Sequence, residues 1–184
     1  MSDEDIHLLQ AKQALGRGDM GTAISILLDA MKYDVKKAAA AYSLGIVYDM
    51  RGTCQNIDLA MKYYSISEYL GSDLATYRIG GIQHRTGKAA EALETFKKIS
   101  DKSPSAAYWC YRLTKEMNPS NPEVDVFLYK AASLGHVLAK RDILLEGLKG
   151  KNGLKRIFAS AFSIVGLFLE VKSAVAKKDE MLYQ

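Results

Sequence analysis

The chain has 184 residues, 48% of them hydrophobic, with 25 Lys and Arg against 21 Asp and Glu, for a formal charge of +4. That is enough apolar material for one modest domain or a short repeat array, and it excludes a disordered or low-complexity chain. Residues 1–139 hold 16 basic and 16 acidic side chains, whereas residues 140–184 hold 9 and 5, so the whole excess belongs to the tail. A nucleic-acid binder would carry a basic stripe across its folded part, and none is expected here.

Taken in order, residues 6–18 read as a first helix, with Ile6, Leu9, Ala14 and Leu15 on one side and Gly16-Arg17-Gly18-Asp19 closing it. Residues 22–32 return against it through Ala23, Ile26, Leu27 and Ala30. The spacing then predicts helices over 35–51 and 57–70, separated by the break at Gly52. Residues 74–85 pair with 89–100, and 105–117 with 122–134 across the connector holding Pro119 and Pro122. Residues 137–148 begin a further unit, which stops at Gly150, Asn152 and Gly153.

The pattern repeats. Ala60, Tyr64, Ser67, Glu68, Gly71 and Ala75 become Ala92, Phe96, Ile99, Ser100, Ser103 and Ala107, and then Val124, Leu128, Ala131, Ala132, Gly135 and Ala139. The step from Ala60 to Ala92 equals the step from Ala92 to Val124. Leu44-Gly45 also recurs, as Ile79-Gly80, after a slightly longer step. A fixed period of this length marks stacked helical hairpins. Helices packed about 8–10 Å apart need small side chains where the backbones cross and large ones beside them. Ala40, Gly45, Ala60, Ala75, Gly80 and Ala107 are the expected crossing points, with Tyr64, Phe96 and Leu128 as fillers. Gly71 and Gly135 are the expected helix stops.

At these residues the chain resembles the Sel-one-like repeat family, relatives of the tetratricopeptide repeats. Its pattern is roughly Ala-x-x-x-Leu-Gly-x-x-Tyr-x-x-Gly, then Ala-x-x-aromatic-aromatic-x-x-Ala-Ala-x-x-Gly-x-x-x-Ala. Residues 40–75 follow it, with Ser67 and Glu68 in place of the alanine pair that Ala131-Ala132 restores. The third unit departs, with Ser103 read in the glycine position and Tyr111-Arg112 where Leu-Gly is expected. The resemblance covers about residues 38–147. It implies adaptors that bind proteins or peptides on the inner surface of the array, usually without catalysis.

Cys54 and Cys110 lie far apart in the chain with no metal-type spacing, and the start Met-Ser-Asp-Glu-Asp has no apolar run behind it. Two unpaired thiols without a secretory signal suit a reducing cytosol, unlike the disulfide-stapled secreted members of the family. His7, His84 and His136 share no ligand spacing, and His136, after Gly135, reads as a helix cap. Gly80-Gly81 lacks the preceding strand and third glycine of a nucleotide fingerprint. With no phosphate loop, nucleophile elbow or His/Cys pair, no catalytic residue, metal or cofactor is expected.

Residues 157–169 form the least ordinary segment: a run without a single charge, preceded by Lys149, Lys151, Lys155 and Arg156. As a helix the run spans about 20 Å, short of the roughly 30 Å hydrocarbon core. It is two-faced, with Arg156, Ser160, Ser163, Glu170, Ser173 and Lys177 along one side. Three readings stand: a cap over the last repeat, an interfacial membrane helix with basic residues at the headgroups, or a homodimer contact. In the last two, Lys155, Arg156, Phe158, Phe162, Val165 and Leu169 make the contact.

For binding, residues two or three beyond each unit's leading alanine turn toward the inner surface. These are Tyr42, Ser43, Tyr77, Arg78, Trp109, Cys110, Arg141 and Asp142. Tyr42, Tyr77, Arg78, Trp109 and Arg141 are the partner-binding candidates, because aromatic and arginine side chains dominate interface hot spots. For Trp109 and the tyrosines, filling gaps between repeats is the competing role. The resulting expectation is an all-α, right-handed superhelix: about four hairpins and a partial fifth over residues 1–150, then a long C-terminal helix in 151–184. It is a non-enzymatic, cytoplasmic adaptor for a protein or peptide. The alternative is a peripheral adaptor at the inner face of a membrane, held by residues 157–169.

Overall fold

The computed structural model describes residues 3–50 and 56–149. Among them are nine α-helices and no strand. The chain divides between Lys98 and Ile99 into two compact units. The first holds α1 (Asp3–Gly16), α2 (Met20–Ala30), α3 (Asp34–Asp49), α4 (Ile57–Tyr69), α5 (Asp73–Arg85) and α6 (Ala89–Lys97). The second holds α7 (Pro104–Met117), α8 (Glu123–Ser133) and α9 (Val137–Lys149). Within each unit successive helices pack as hairpins, and α4 lies against both α3 and α5. Each helix expected over residues 6–148 is present with its ends shifted by at most a few positions. Cys54 and the 157–169 segment lie outside the described residues.

The helix pairs close as the residue types require. Tyr64 and Phe96 are fully buried, and so are Ala40, Ala60, Ala75 and Ala107. A Cβ on Gly45 would sit 2.5 Å from the Tyr64 ring, and one on Gly80 would sit 2.9 Å from the Phe96 ring. Only glycine lets α3 and α5 accept those rings, each of which stabilises its hairpin by about 1.5–3 kcal/mol through burial. Leu128 fills the same place on α8. The residues departing from the alanine pair on α4 make bonds of their own. The Ser67 hydroxyl donates to the Ala38 carbonyl at 2.8 Å, tying α4 to α3. Glu68 accepts from Thr76 Oγ1 at 3.3 Å and Lys98 Nζ at 3.0 Å, tying α4 to α5 and to the end of α6.

Helix ends set the register. Gly71 and Gly135 take φ of 91° and 97°, the left-handed conformation in which a side chain is strained. In each turn the following N–H then reaches back five positions, Ser72 to Ser67 at 3.0 Å and His136 to Ala131 at 2.9 Å. The turn before α7 has no glycine: Ser103 N–H reaches back only four, to Ile99 at 2.9 Å. One residue is missing from that turn. Ser103 is therefore not the counterpart of Gly71 but of Ser72. Both serines cap a helix, accepting from the N–H of Ala75 (3.3 Å) and Ala106 (3.2 Å). His136 does the same through Nδ1 for Ala139 (3.3 Å), the capping role its position suggested. Measured from cap to cap, the step from Ser72 to Ser103 is thus shorter than the step from Ser103 to His136, and the two are not equal as the apolar pattern suggests. Cys110-Tyr111, not Tyr111-Arg112, occupies the Leu-Gly position, and both are buried.

Candidate functional site

In the first unit the candidates sit on α3 and α5. Tyr42 is half-buried, its ring 5.8 Å from that of Tyr64. Its hydroxyl accepts a hydrogen bond from Arg78 Nε at 3.4 Å, so α3 orients the α5 guanidinium. That bond favours the charged arginine and, ahead of the opposing cost of burial, raises its pKa. Arg78 stays exposed with a neutral hydrogen-bond partner, and the Asp49 charge acts on it without a direct ion pair among the described residues. Seven positions further along each helix, Arg85 of α5 pairs with Asp49 of α3, whose side chain is 10% exposed. Tyr77 is half-buried, its ring edge-on to Phe96 at 5.5 Å. It therefore packs inside the hairpin, alongside any contact it makes outside. The Tyr64 hydroxyl is buried with no hydrogen-bond partner among the described residues. Burial raises its pKa far enough to keep it neutral, and the charges acting on it include Arg78 and Asp49.

In the second unit the surface of α7 and α9 carries a denser network. Tyr108 donates to Asp142 Oδ2 at 2.8 Å and stacks on His136 with ring centroids 4.2 Å apart. Burial first, and the Asp142 bond second, push the Tyr108 hydroxyl up to about 12. Burial lowers the pKa of His136, opposed by the nearby Asp142 charge. Arg141 binds Asp142 Oδ1 through Nε at 2.9 Å and Nη2 at 2.7 Å, so its charge is largely matched by its own neighbour. Lys115 bridges Glu146 (2.7 Å) and the Tyr111 hydroxyl (2.8 Å), and both bonds raise its pKa. Trp109 is half-buried, with the Arg112 guanidinium 5.2 Å from its ring centroid. An open groove of about 370 Å³ is lined by Tyr108, Tyr111, Arg112, Lys115, Glu116 and Asp142.

The structure therefore joins Tyr42 to Arg78, packs Tyr77 on Phe96, and gives Trp109 and Arg141 partners other than each other. Cys110, expected on the surface, is buried. Tyr108 was missed, although the capping residues mark it: two residues past Ala40, Ala75 and Ala106 stand Tyr42, Tyr77 and Tyr108. A second surface also went unread. Tyr69, 90% exposed, and Leu70 border an apolar hollow of about 410 Å³ with Ile66, Ser65 and Lys37. Lys155, Arg156, Phe158, Phe162, Val165 and Leu169 lie outside the described residues. No helix among the described residues is long and apolar enough to cross a membrane.

With this geometry in hand, the solved structures supply the match. The chain is similar to the crystal structure of MamA, a tetratricopeptide-like helical-repeat protein. The TM-score is 0.59 at 19% identity, covering 91% of this chain and 96% of that one. A second crystal structure of MamA protein gives the same TM-score and identity over 95% and 94%. This is a tetratricopeptide-like helical-repeat fold. No protein-family model and no curated protein matches the sequence.

Proposed function

We propose that the chain is a non-catalytic protein- or peptide-binding adaptor of the Sel-one-like kind, engaging its partner on the faces of its first helices. The tetratricopeptide-like fold supports a general scaffold role. The finer family reading rests on the Ala40, Leu44-Gly45, Tyr48, Ala60, Tyr64 and Gly71 pattern and on the packing it produces.

One observation carries the choice of face: Arg78 stands exposed, held by the Tyr42 hydroxyl of the preceding hairpin and bonded to no carboxylate among the described residues. An arginine so oriented has lost part of its rotamer freedom before a ligand arrives, which lowers the cost of binding. Its chemistry suits a partner carboxylate, with Tyr42 and Tyr77 offering aromatic surface beside it. Arg141 is the weaker candidate because Asp142 already occupies its fork. Trp109, with Arg112 across its ring, contributes mainly apolar contact.

Affinity capture from the native host tests this. Arg78→Ala and Tyr42→Phe should each lower recovery of the partner, Arg78→Ala by tenfold or more, with the helical circular dichroism unchanged. Full capture by Arg78→Ala alongside loss with Tyr69→Ala would move the site to the apolar hollow on α4. The membrane-adaptor alternative rests on residues 157–169, and salt-sensitive sedimentation with anionic vesicles would favour it.

A further inference from the structure

Two rungs cross from α3 to α5: Tyr42 with Arg78 and, two helical turns further on, Asp49 with Arg85. Between the rungs stand Ile46 on α3 and Gly81 on α5. Ile46 is half-buried and packs on the apolar cluster that contains Tyr64. A Cβ at Gly81 would meet nothing within 4 Å, so the α5 backbone there is open to an incoming chain.

The Tyr64 ring reaches this spot from α4, its edge against Gly45 and its side chain 0% exposed. The groups acting on its hydroxyl are Tyr42, Asp49, Arg78 and Arg85, the members of both rungs, which sets the oxygen among them. That hydroxyl has no hydrogen-bond partner among the described residues. Packing does not ask for it, because Phe96 fills the corresponding place on α6 without one. Buried polar groups left unbonded are few and costly, so the oxygen points to a use outside the free hairpin.

The donors present specify what could use it. Arg78 holds Tyr42 through Nε, which leaves its terminal N–H groups for another acceptor. Tyr64 adds an O–H. Two guanidinium charges, Arg78 and Arg85, stand against the single Asp49 carboxylate, for one net positive charge at the rungs. A monoanion with two oxygens, a carboxylate, matches that balance, whereas Asp49 repels the second charge of a phosphate dianion.

We infer that Tyr64 is a second binding residue of the Arg78 site and that the group it takes is the side-chain carboxylate of a partner Asp or Glu, one oxygen on the Arg78 guanidinium and the other on the Tyr64 hydroxyl. This rests on the adaptor reading above and adds to it a donor and a ligand class. The carboxylate enters over Gly81, and Ile46 changes rotamer to uncover the hydroxyl, an adjustment of the kind interfaces commonly make.

The test titrates the full chain with the blocked peptide acetyl-Ala-Glu-Ala-amide, followed through the α5 backbone amides by NMR, with its Gln and phosphoserine counterparts alongside. The Glu peptide should saturate and the Gln peptide should not bind. Tyr64→Phe should weaken the Glu peptide fivefold or more, Arg78→Ala should abolish its binding, and Gly81→Leu should weaken it by blocking the approach. Parental affinity in Tyr64→Phe, with binding lost in Arg78→Ala, would overturn the inference and leave the Arg78 reading standing. No binding of the Glu peptide, equal binding of the Gln peptide, or indifference to both variants would overturn the two together. A tenfold preference for the phosphoserine peptide would overturn the carboxylate assignment. Tyr64→Phe should also keep the urea midpoint of the free protein at or above that of the parent, since it removes an unbonded hydroxyl. A lowered midpoint would show the hydroxyl already bonded in the free chain and overturn the inference independently.

Discussion

Gly80 and Gly81 are adjacent on α5, and the structure gives their alanine substitutions opposite signs. Propensity alone favours alanine at both, by about 0.5–1 kcal/mol, since glycine loses the most backbone freedom on entering a helix. A Cβ at Gly81 meets nothing within 4 Å, so Gly81→Ala should realise that gain. At Gly80 the Cβ would lie 2.9 Å from Phe96 Cε1 and Cζ, inside any normal contact. Phe96 is fully buried with the Tyr77 ring on its edge, so it has no free direction to move. Overpacking of this kind costs about 1–3 kcal/mol. Neighbouring sites on one helix share the propensity gain, so the difference between the variants isolates the packing cost, about 1–3 kcal/mol in favour of Gly81→Ala. Urea unfolding followed by far-ultraviolet circular dichroism reads it directly. Adding Phe96→Leu removes the obstructing ring atoms and copies the arrangement of α8. It should therefore cost less in the Gly80→Ala background than in the parent, with a coupling of at least about 0.5 kcal/mol. Equal stability of the two alanine variants would refute the close-approach account of the repeat's Leu-Gly signature.

The helix-end assignments make further predictions. Ser103→Ala removes the cap on Ala106 and should cost about 1 kcal/mol, while Ser103→Gly should cost only a few tenths; no loss with alanine would contradict the revised register. Asp49 and Arg85 should couple by about 0.5–1 kcal/mol in a double-mutant cycle read by urea unfolding, and an additive cycle would show that the α3–α5 pair contributes nothing. His136 caps through an unprotonated Nδ1, and its folded pKa lies below the ordinary 6.5. The unfolded chain thus binds the proton more readily. The stabilisation is complete above about pH 6.5 and falls as pH drops from there through the lower folded value. Comparing urea midpoints at pH 7.5 and 5.5, His136→Asn should show a smaller loss than the parent, because asparagine still caps but does not titrate. An identical pH response would remove His136 from the account.

The architecture was legible because hairpin packing demands residue types as well as apolarity. Glycine facing an aromatic ring, alanine at crossings and glycine past a helix end are requirements of close approach and of left-handed backbone. Such requirements leave marks at fixed spacing. Gly45 with Tyr64, Gly80 with Phe96 and the turns at Gly71 and Gly135 were all readable on that ground. The alanine-pair positions were readable only as departures. That Ser67 bonds the Ala38 carbonyl and Glu68 gathers Thr76 and Lys98 depends on which helices lie alongside α4, and spacing along one chain does not state that.

The candidate site was harder to read for a more specific reason. A helix turns about 100° per residue, so a register error of one position moves a side chain from the core to the surface. Apolar spacing aligned Ala107 with Ala75, which placed Trp109 in the tyrosine column and Cys110 beside it on the surface. The turn before α7 had dropped a residue together with its glycine, and alanines at both 106 and 107 hid the slip. Capping residues are a better ruler than apolar ones, because a cap must stand three positions before the N–H it satisfies, whereas a core tolerates alanine at either of two neighbouring positions. Counted from Ser72, Ser103 and His136, one column becomes Tyr42, Tyr77, Tyr108 and Arg141. The column after it becomes Ser43, Arg78, Trp109 and Asp142. Those columns explain the pairing: a tyrosine of the first column meets the second-column residue of the next hairpin, Tyr42 with Arg78 and Tyr108 with Asp142. In the first unit the meeting leaves a cation exposed, and in the second Asp142 cancels one. The proposal of Arg78 as the recognition residue rests on that difference, because both units carry the same helical grammar.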